Sequence, residues 1–171
     1  MDFERVNIKG GSAYEDVAGY SRIVKAGPFV YVSGTTSVTP EGTVYGEGDP
    51  YEQAKYIFNK LVGLLEENGV SREEVVKVNI FTTKSSYNNE ITRAYSEYFK
   101  ESRPCCTWIG IKELNRPTQL VEIEMQAIVG ARAQKHDKFL RQVFMAIPHK
   151  DCAADASANF SSDETKSEVN T

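Results

Sequence analysis

The chain has 171 residues, 40% of them hydrophobic, and a formal net charge of −4. This length and composition favour one ordinary domain core rather than two. The negative balance, without a Lys/Arg cluster on any predicted element, removes the usual electrostatic basis for binding nucleic acid. No apolar run reaches the roughly 20 residues that span a bilayer, and the first residues are too polar for a signal peptide. We therefore expect a cytoplasmic protein with neither a nucleic-acid nor a membrane partner.

The cysteines and histidines narrow the chemistry of the predicted domain. Three cysteines, two of them adjacent at Cys105 and Cys106, do not make a disulfide framework or a zinc ligand set. Both histidines, His136 and His149, follow the predicted domain. We therefore expect reduced thiols, no imidazole base and no histidine-ligated metal in the folded region.

The first predicted elements are a hairpin and a helix. Residues 20–25 and 29–33 read as short strands joined by a tight turn at Gly27-Pro28. A loop rich in Gly and Pro follows and runs through residue 48. Asp49 then caps a helix whose apolar residues recur at helical spacing, and Asn68-Gly69 ends it.

The second half alternates strands with one more helix. Residues 75–83 predict a strand with Val76, Val78 and Ile80 on one face. An apolar stripe in residues 87–100 predicts a helix that Pro104 closes, and the last two strands are residues 106–111 and 120–129. The order β-β-α-β-α-β-β predicts an α+β domain with one mixed sheet and two helices on one face. Another subunit is the economical cover for the opposite face.

The character of the sequence changes after residue 131, where we place the end of the domain. Residues 132–150 carry apolar side chains at helical spacing and predict a short appended helix. Residues 151–171 are rich in Ala, Ser, Asp and Glu and bury too little to offset the entropy of ordering. We predict a disordered tail there.

Four short motifs occur in a fixed order between residues 15 and 131. They are Gly19-Tyr20, VYVSG at 30–34, Arg103-Pro104 and VEIEMQAI at 121–128. With two helices between them, these motifs resemble the Rid family, the reactive-intermediate deaminases of the YjgF/YER057c/UK114 type. The resemblance implies a chorismate-mutase-like fold, a homotrimer with clefts between subunits, and cofactor-free hydrolysis of enamines and imines to a 2-oxo acid and ammonia.

The resemblance also implies site residues, position by position. The cleft tyrosine of the family matches Tyr20, its Ser-Gly strand end matches Ser33 and Gly34, and its water-positioning glutamate matches Glu124. The carboxylate-binding arginine of the family is replaced by Cys106. The chain is thus a divergent member that lacks the arginine.

Two further positions depart from the family pattern. The asparagine of the second helix is replaced by Thr92, and Trp108 stands where a cysteine is common. A guanidinium donates two parallel hydrogen bonds to a carboxylate, and losing this clamp would cost about 2–5 kcal/mol. We therefore expect a substrate without a free α-carboxylate. Arg22 and Arg93 are the remaining candidates for a cation in the cleft.

Each candidate residue also has an ordinary structural explanation. Glu124 alternates with apolar neighbours, as on any solvated strand face. Tyr20 suits half-buried packing, and Ser33-Gly34 suits the end of a strand. Cys106, with no histidine or cation assigned beside it, is more typical of a small apolar filler than of a nucleophile.

Two functions from different classes remain open. The first is a Rid-like hydrolase that acts on a reactive imine, enamine or related small C=N metabolite without a cofactor, with Glu124 positioning water. The residues predicted to contact its substrate are Tyr20, Ser33, Gly34, Thr92 and Cys106. The second is a non-catalytic trimer that binds a small metabolite or a partner protein in the same clefts. A ribonuclease ranks last, because the chain is acidic and the predicted domain contains no histidine.

Overall fold

A computed structural model describes residues 2–131 of the chain, and six strands and three α-helices occur in that range. The predicted appended helix and disordered tail lie outside the described residues. The elements in chain order are β1 (Arg5–Ile8), α1 (Ala13–Ala18), β2 (Ile23–Ala26), β3 (Phe29–Thr35), α2 (Pro50–Glu67), β4 (Val75–Thr82), α3 (Asn88–Phe99), β5 (Cys105–Gly110) and β6 (Val121–Ile128).

The strands form one mixed sheet in the order β1-β2-β3-β6-β4-β5. All neighbours are antiparallel except β4 and β5, which run parallel. The predicted hairpin is the β2–β3 pair, with Gly27 in the turn at φ 57°, a backbone conformation that suits glycine. The α+β class, the mixed sheet and the two long helices predicted from the sequence are confirmed.

Helix α2 begins as its sequence predicts. The Asp49 side chain accepts a hydrogen bond from the Glu52 backbone N–H, and Pro50 occupies the first turn. Its apolar stripe packs in one cluster with α3 and the sheet, where Phe58 contacts the rings of Tyr95 and Phe99. Because each fully buried apolar side chain stabilises by about 1.5–3 kcal/mol, this layer fixes the sheet against both helices.

Strand β4 differs from its prediction in one detail. The pairing with β6 shifts between Val75 and Lys77, so an irregularity interrupts the alternation of side chains. Val75 is 3% exposed and shares the core with Val78 and Ile80, whereas Val76 is only partly buried. The prediction that Val76 lies on the core face was wrong, because strict alternation does not anticipate a register shift.

Two elements precede the predicted hairpin. Strand β1 pairs with β2 at the sheet edge, and α1 is a six-residue helix capped by the Ser12 side chain and ended by Gly19 at φ 72°. Glu15, in α1, is only 2% exposed. This segment therefore contributes a buried carboxylate to the domain.

Gln53, in α2, connects the helix to the loop before β6. Its Nε2 donates to the carbonyl oxygens of Gly46 (3.1 Å) and Thr118 (2.7 Å), and its Oε1 accepts from the Leu120 N–H (2.9 Å). The side chain is fully buried. Because buried backbone groups need partners, this amide fixes two loops at once.

Replacement of this amide should destabilise the domain. Gln53→Met keeps the length of the side chain but leaves a backbone N–H and two carbonyl groups without their partner, so we expect a loss of about 1–3 kcal/mol in the free energy of unfolding. Urea denaturation measures it. Glu66→Met, at an exposed position of the same helix, is the matched control. Equal unfolding midpoints for the two variants would contradict the role given to Gln53.

Candidate functional site

Two carboxylates lie on the sheet face opposite the helices. In β6 the side chains of Val121, Ile123 and Met125 are buried, and Glu122 and Glu124 alternate with them. A cleft of about 910 Å³ at the end of β6 contains Glu122 and is large enough for a small metabolite. Its lining residues are Thr83, Lys84, Tyr87, Lys112, Glu113, Leu114, Asn115, Arg116, Pro117, Gln119, Leu120 and Glu122.

The Glu122 carboxylate packs directly against Gly34. A Cβ atom added at Gly34 would lie 2.3 Å from Glu122 Oε1, so only a glycine leaves room for this placement. Partial burial raises the pKa of Glu122, the positive charge of Arg22 opposes that rise, and the negative charge of Glu124 adds to it. Glu122 is therefore a carboxyl group that holds its proton to higher pH than an exposed glutamate does.

Arg22 is a buried cation beside this site. Its residue is 6% exposed, and its Nε lies 3.3 Å from an oxygen of Glu15. Its Nη1 donates to the Gly34 carbonyl (2.7 Å) and the Thr35 hydroxyl (2.8 Å), and its Nη2 donates to the Tyr20 hydroxyl (3.1 Å). Tyr20 and Gly34, two of the predicted site residues, are thus joined through one side chain.

Glu124 occupies a different, smaller pocket of about 150 Å³ in the middle of the same sheet face. Ser33, Lys77 and Asn79 line this pocket with it, and Asn79 Nδ2 donates to Glu124 Oε1 at 2.6 Å. The Ser33 hydroxyl donates to the Ser21 carbonyl at 2.8 Å, so its proton is already committed. The structure therefore separates Ser33 and Glu124 from the Glu122 cleft, although all three residues belong to adjoining strands.

Cys106 and Thr92 line neither pocket. Cys106 lies in β5, where partial burial raises the pKa of its thiol, and hydrogen bonds with Tyr95 and Trp108 offset part of that rise. Thr92 is exposed on α3. A thiol with a raised pKa is a weak nucleophile at neutral pH, which argues against a nucleophilic role. Cys106 is nevertheless exposed, so it does not fill the apolar core as its structural explanation predicted.

The two candidate cations have different surroundings. Arg93 lies over the ring of Tyr51, with 3.9 Å between its guanidinium carbon and the ring centroid, and neither Arg93 nor Arg22 is in the lining of the two pockets. Arg22, in contrast, acts on Glu122 through its charge. Of the two arginines, only Arg22 contributes to the site.

The sequence analysis missed Glu122 and the pairing of Glu15 with Arg22. The alternation that singled out Glu124 also places Glu122 on the same face, so the signal was present. What distinguishes the two carboxylates is the approach of Gly34 from β3 and of Arg22 from the residue before β2, which no periodicity reveals.

Within residues 2–131, no group of three or more His, Cys, Asp or Glu side chains could hold a metal ion. Across the same residues, every helix is too short or too polar to cross a membrane.

The raised pKa of Glu122 predicts a pH-dependent effect of Glu122→Gln on stability. Because the pKa of this carboxyl group is higher in the folded protein than in the unfolded chain, the group stabilises the fold, and this stabilisation is fully present at pH values below the unfolded pKa. The stabilisation is lost as the pH rises through the folded pKa. Because Gln does not ionise, the unfolding midpoint of Glu122→Gln should rise relative to wild type across that window. Urea titrations at a series of pH values measure the difference, with Glu113→Gln as the control. A difference that stays constant or falls as pH rises would contradict the raised pKa.

Comparisons with known proteins agree with this architecture. Residues 10–129 match the family model for endoribonuclease L-PSP. A RutC family protein of Aquifex aeolicus is 36% identical over 123 residues, which cover 71% of this chain and 97% of the relative. An uncharacterized protein of Streptomyces coelicolor is 35% identical over 124 residues, covering 72% of this chain and 92% of the relative.

Solved structures show the same relationship. The crystal structure of a YjgF/YER057c/UK114 family member from Mycobacterium tuberculosis superposes with a TM-score of 0.67 at 31% identity, covering 74% of this chain and all of that one. The crystal structure of yeast Mmf1 gives a TM-score of 0.65 at 27% identity, with 73% of this chain and 98% of that chain covered. The chain belongs to the Rid (YjgF/YER057c/UK114) family.

Proposed function

We propose that the protein is a cofactor-free hydrolase of a small, reactive C=N metabolite, an imine or an enamine, and that the reaction takes place in the Glu122 cleft. Family membership supports a role in small-metabolite processing. The observation that carries the finer proposal is the Glu122 carboxyl group, partly buried against Gly34 with a raised pKa. A carboxyl group that holds its proton nearer to neutral pH can serve as both acid and base.

The proposed chemistry needs one proton donor and one water molecule. Protonated Glu122 gives its proton to the enamine carbon or the imine nitrogen, which makes the C=N carbon electrophilic. The resulting carboxylate then accepts a proton from the water that attacks this carbon. Glu122, reprotonated in that step, gives its proton to the amino nitrogen of the adduct and takes the hydroxyl proton as the C–N bond breaks. One imine and one water thus yield one carbonyl compound and one ammonia.

The cleft favours substrates without a free α-carboxylate. Cys106, at the family arginine position, lies outside the cleft lining and offers no cation. Arg22 already makes four hydrogen bonds to protein groups, so it cannot form a bidentate clamp with a substrate. Lys84 and Lys112 at the cleft are point charges without the planar fork of arginine, and Arg116, the guanidinium in the lining, has its Nη1 donating to the Gly42 carbonyl at 2.6 Å.

Glu124 has a supporting place in this proposal. Its negative charge raises the pKa of Glu122, and its hydrogen bond from Asn79 holds it in the neighbouring pocket. The role of water positioning predicted for Glu124 stays a prediction that mutagenesis can test against Glu122.

We also propose that the protein is a homotrimer, with the sheet face opposite the helices as the contact surface. On this face of the described residues, Tyr31 is 49% exposed in the middle of the sheet. A neighbouring subunit would cover this ring and bring Thr92 and Cys106 of the partner subunit to the Glu122 cleft. The family resemblance implies this arrangement, and it gives Thr92 and Cys106 the substrate contacts that a single chain does not provide.

A binding role without catalysis is the second candidate. Two observations support it. Cys106 is a thiol with a raised pKa, and the N–H donors of Arg22 are largely committed to protein groups. A protein of this kind would bind a small metabolite in the same cleft and show no turnover.

Kinetics on imines generated in situ tests the hydrolase. An amine oxidase supplies imines without a carboxylate and an amino-acid oxidase supplies 2-imino acids; the decrease in semicarbazone formation reports the decay of the imine. We expect the first pool to be the better substrate. Glu122→Gln should lower turnover by about 10²–10⁴-fold, because it removes the acid–base group.

Three variants complete this experiment. Glu113→Gln is the control for loss of a cleft carboxylate, and Glu124→Gln separates the roles of the two strand glutamates. Cys106→Arg should gain activity on 2-imino acids if residue 106 occupies the position of the carboxylate-binding arginine of the family. No turnover on either pool by wild type, together with measurable binding of the same compounds, would replace the hydrolase by the binding role.

Sedimentation equilibrium tests the trimer. We expect a mass about three times the 19.1 kDa of one chain. Tyr31→Glu should dissociate the assembly, since it places a second charge on the proposed contact face, in the pocket that Tyr31 shares with Glu124. Val17→Glu, at a site 84% exposed on α1, should leave the mass unchanged. A monomeric wild type would refute the proposal.

A further inference from the structure

The guanidinium of Arg22 is hydrogen-bonded to four residues from three parts of the domain. Its partners are Glu15 of α1, Tyr20 before β2, and the consecutive residues Gly34 and Thr35 of β3. Four of the five N–H donors of an arginine are thereby used. A side chain that is 6% exposed and bonded in this way has one defined position.

The bonds to Gly34 and Thr35 fix the part of β3 that contacts Glu122. Pairing between β3 and β6 is irregular between Val32 and Thr35, so the sheet ladder holds this segment less regularly than the rest of the strand. Arg22 Nη1 bonds both the Gly34 carbonyl and the Thr35 hydroxyl across this irregularity. Since the Glu122 carboxylate packs against Gly34, a shift of this segment would also shift Glu122.

The bond to Tyr20 orients a hydroxyl group that reaches solvent. Tyr20 is 38% exposed, and its oxygen accepts the hydrogen bond from Arg22 Nη2. The phenolic proton of Tyr20 therefore remains available to donate elsewhere. Because the donor to its oxygen is charged, this hydroxyl is also polarised into a better donor.

Glu15 holds the other side of the guanidinium. One of its oxygens receives Arg22 Nε and the other receives the Gly10 N–H at 2.9 Å. A Cβ atom at Gly10 would lie 2.7 Å from Arg22 Cγ, so the chain passes close over the arginine stem only because residue 10 is glycine. The segment that contains β1 and α1 thus closes over Arg22.

From these contacts we infer that Arg22, held by Glu15, is the positioning residue of the cleft. It orders the Gly34 segment against which Glu122 lies, and by donating to the Tyr20 oxygen it leaves the phenolic proton free for a neutral acceptor such as the nitrogen or oxygen of a C=N or C=O group. This inference rests on the proposed function for its chemistry. Its structural content, the linkage of Arg22 to Glu122 and Tyr20, can be tested without any substrate.

The charged groups around Glu122 determine what a titration should show. Arg22 approaches from the position before β2 and Glu124 from the same strand, and both act on Glu122 through their charges. Lys60 of α2 is close enough to Arg22 for the arginine charge to lower its pKa, although burial is the larger cause. The remaining charged residues of the cleft are Lys84, Lys112, Glu113 and Arg116.

The test is an NMR titration of the Glu122 carboxyl carbon in the full chain, with the ring-carbon resonance of Tyr20 followed in parallel. Variants Glu122→Gln and Tyr20→Phe assign the two signals. The variant that tests the inference carries both Glu15→Gln and Arg22→Gln. It keeps both side chains long, and neither buried charge is left without its partner. Loss of the cation should move the Glu122 midpoint upward by about 1 pH unit. The Tyr20 signal should shift as well.

Two further variants distinguish positioning from charge. Arg22→Lys keeps the charge but not the four bonds, so the Glu122 midpoint should stay near wild type. Loss of the bonds to Gly34, Thr35 and Tyr20 should change the chemical shift of Glu122 together with that of Tyr20. Arg116→Gln removes a cleft cation that does not contact either group, and both signals should stay in place. An unchanged Glu122 midpoint in the double variant, or equal shifts in Arg116→Gln, would overturn the inference.

The same titration separates this inference from the proposed function. If wild type shows no imine turnover but the titration gives the expected pattern, the hydrolase is refuted and the positioning role of Arg22 stands. If turnover is present, the pH profile of kcat in Arg22→Lys should keep its midpoint while kcat itself falls. A profile that is unchanged in both respects would refute the positioning role and leave the hydrolase.

Discussion

The buried guanidinium of Arg22 is the constraint on which the rest of the site depends. A charge that is taken out of water must be paired and hydrogen-bonded, and removing one partner of such a pair typically costs about 3–5 kcal/mol. Here the partners come from α1, from the approach to β2 and from β3. The N-terminal strand and short helix, which contribute little to the apolar core, supply Glu15 for this purpose.

The two glutamates of β6 fit the same alternating pattern, but their surroundings differ, and the proposed mechanism gives them different roles. Glu122 and Glu124 are two residues apart on the same face of one strand. Glu124 receives the amide of Asn79, whereas Glu122 packs against Gly34 within reach of the Arg22 charge. Neighbouring carboxyl groups in unlike environments are a common basis for acid–base chemistry in one fold. In the proposed mechanism Glu122 exchanges protons, and Glu124 acts through its charge.

The sequence predicted the parts of the fold that rest on repeated spacing. The 3.6-residue period and the Asp49 cap predicted α2 within one residue, and alternation in β6 predicted its buried face. Elements without a repeat were missed. Strand β1 has four residues and α1 has six, too few for a period to be recognised. In β4 the register shift at Val76 interrupts the alternation on which the prediction of its faces was based.

The site was less predictable than the fold, because its residues are related through space. Tyr20 and Gly34 were named from the family motif and do meet, but only through Arg22, which the sequence left as one of two candidate cations. Glu122 was passed over in favour of Glu124, since both fit the alternation and only a contact from another strand distinguishes them. Whether Thr92 and Cys106 join this site depends on a second subunit, which no property of a single chain specifies.

The replacement of the family arginine by Cys106, which the sequence motif predicts, has a physical meaning under the proposed function. A clamp on β5 would present a free, planar fork to the substrate, and such a fork selects carboxylates. Arg22 instead keeps a positive charge near Glu122 while its donors remain bonded to the protein. Under the proposed function, the cleft therefore retains the charge that balances its acid–base carboxyl group but loses bidentate recognition of an anion. Under the same proposal, preference for a neutral C=N compound is a consequence of the hydrogen bonds that Arg22 already makes to protein groups.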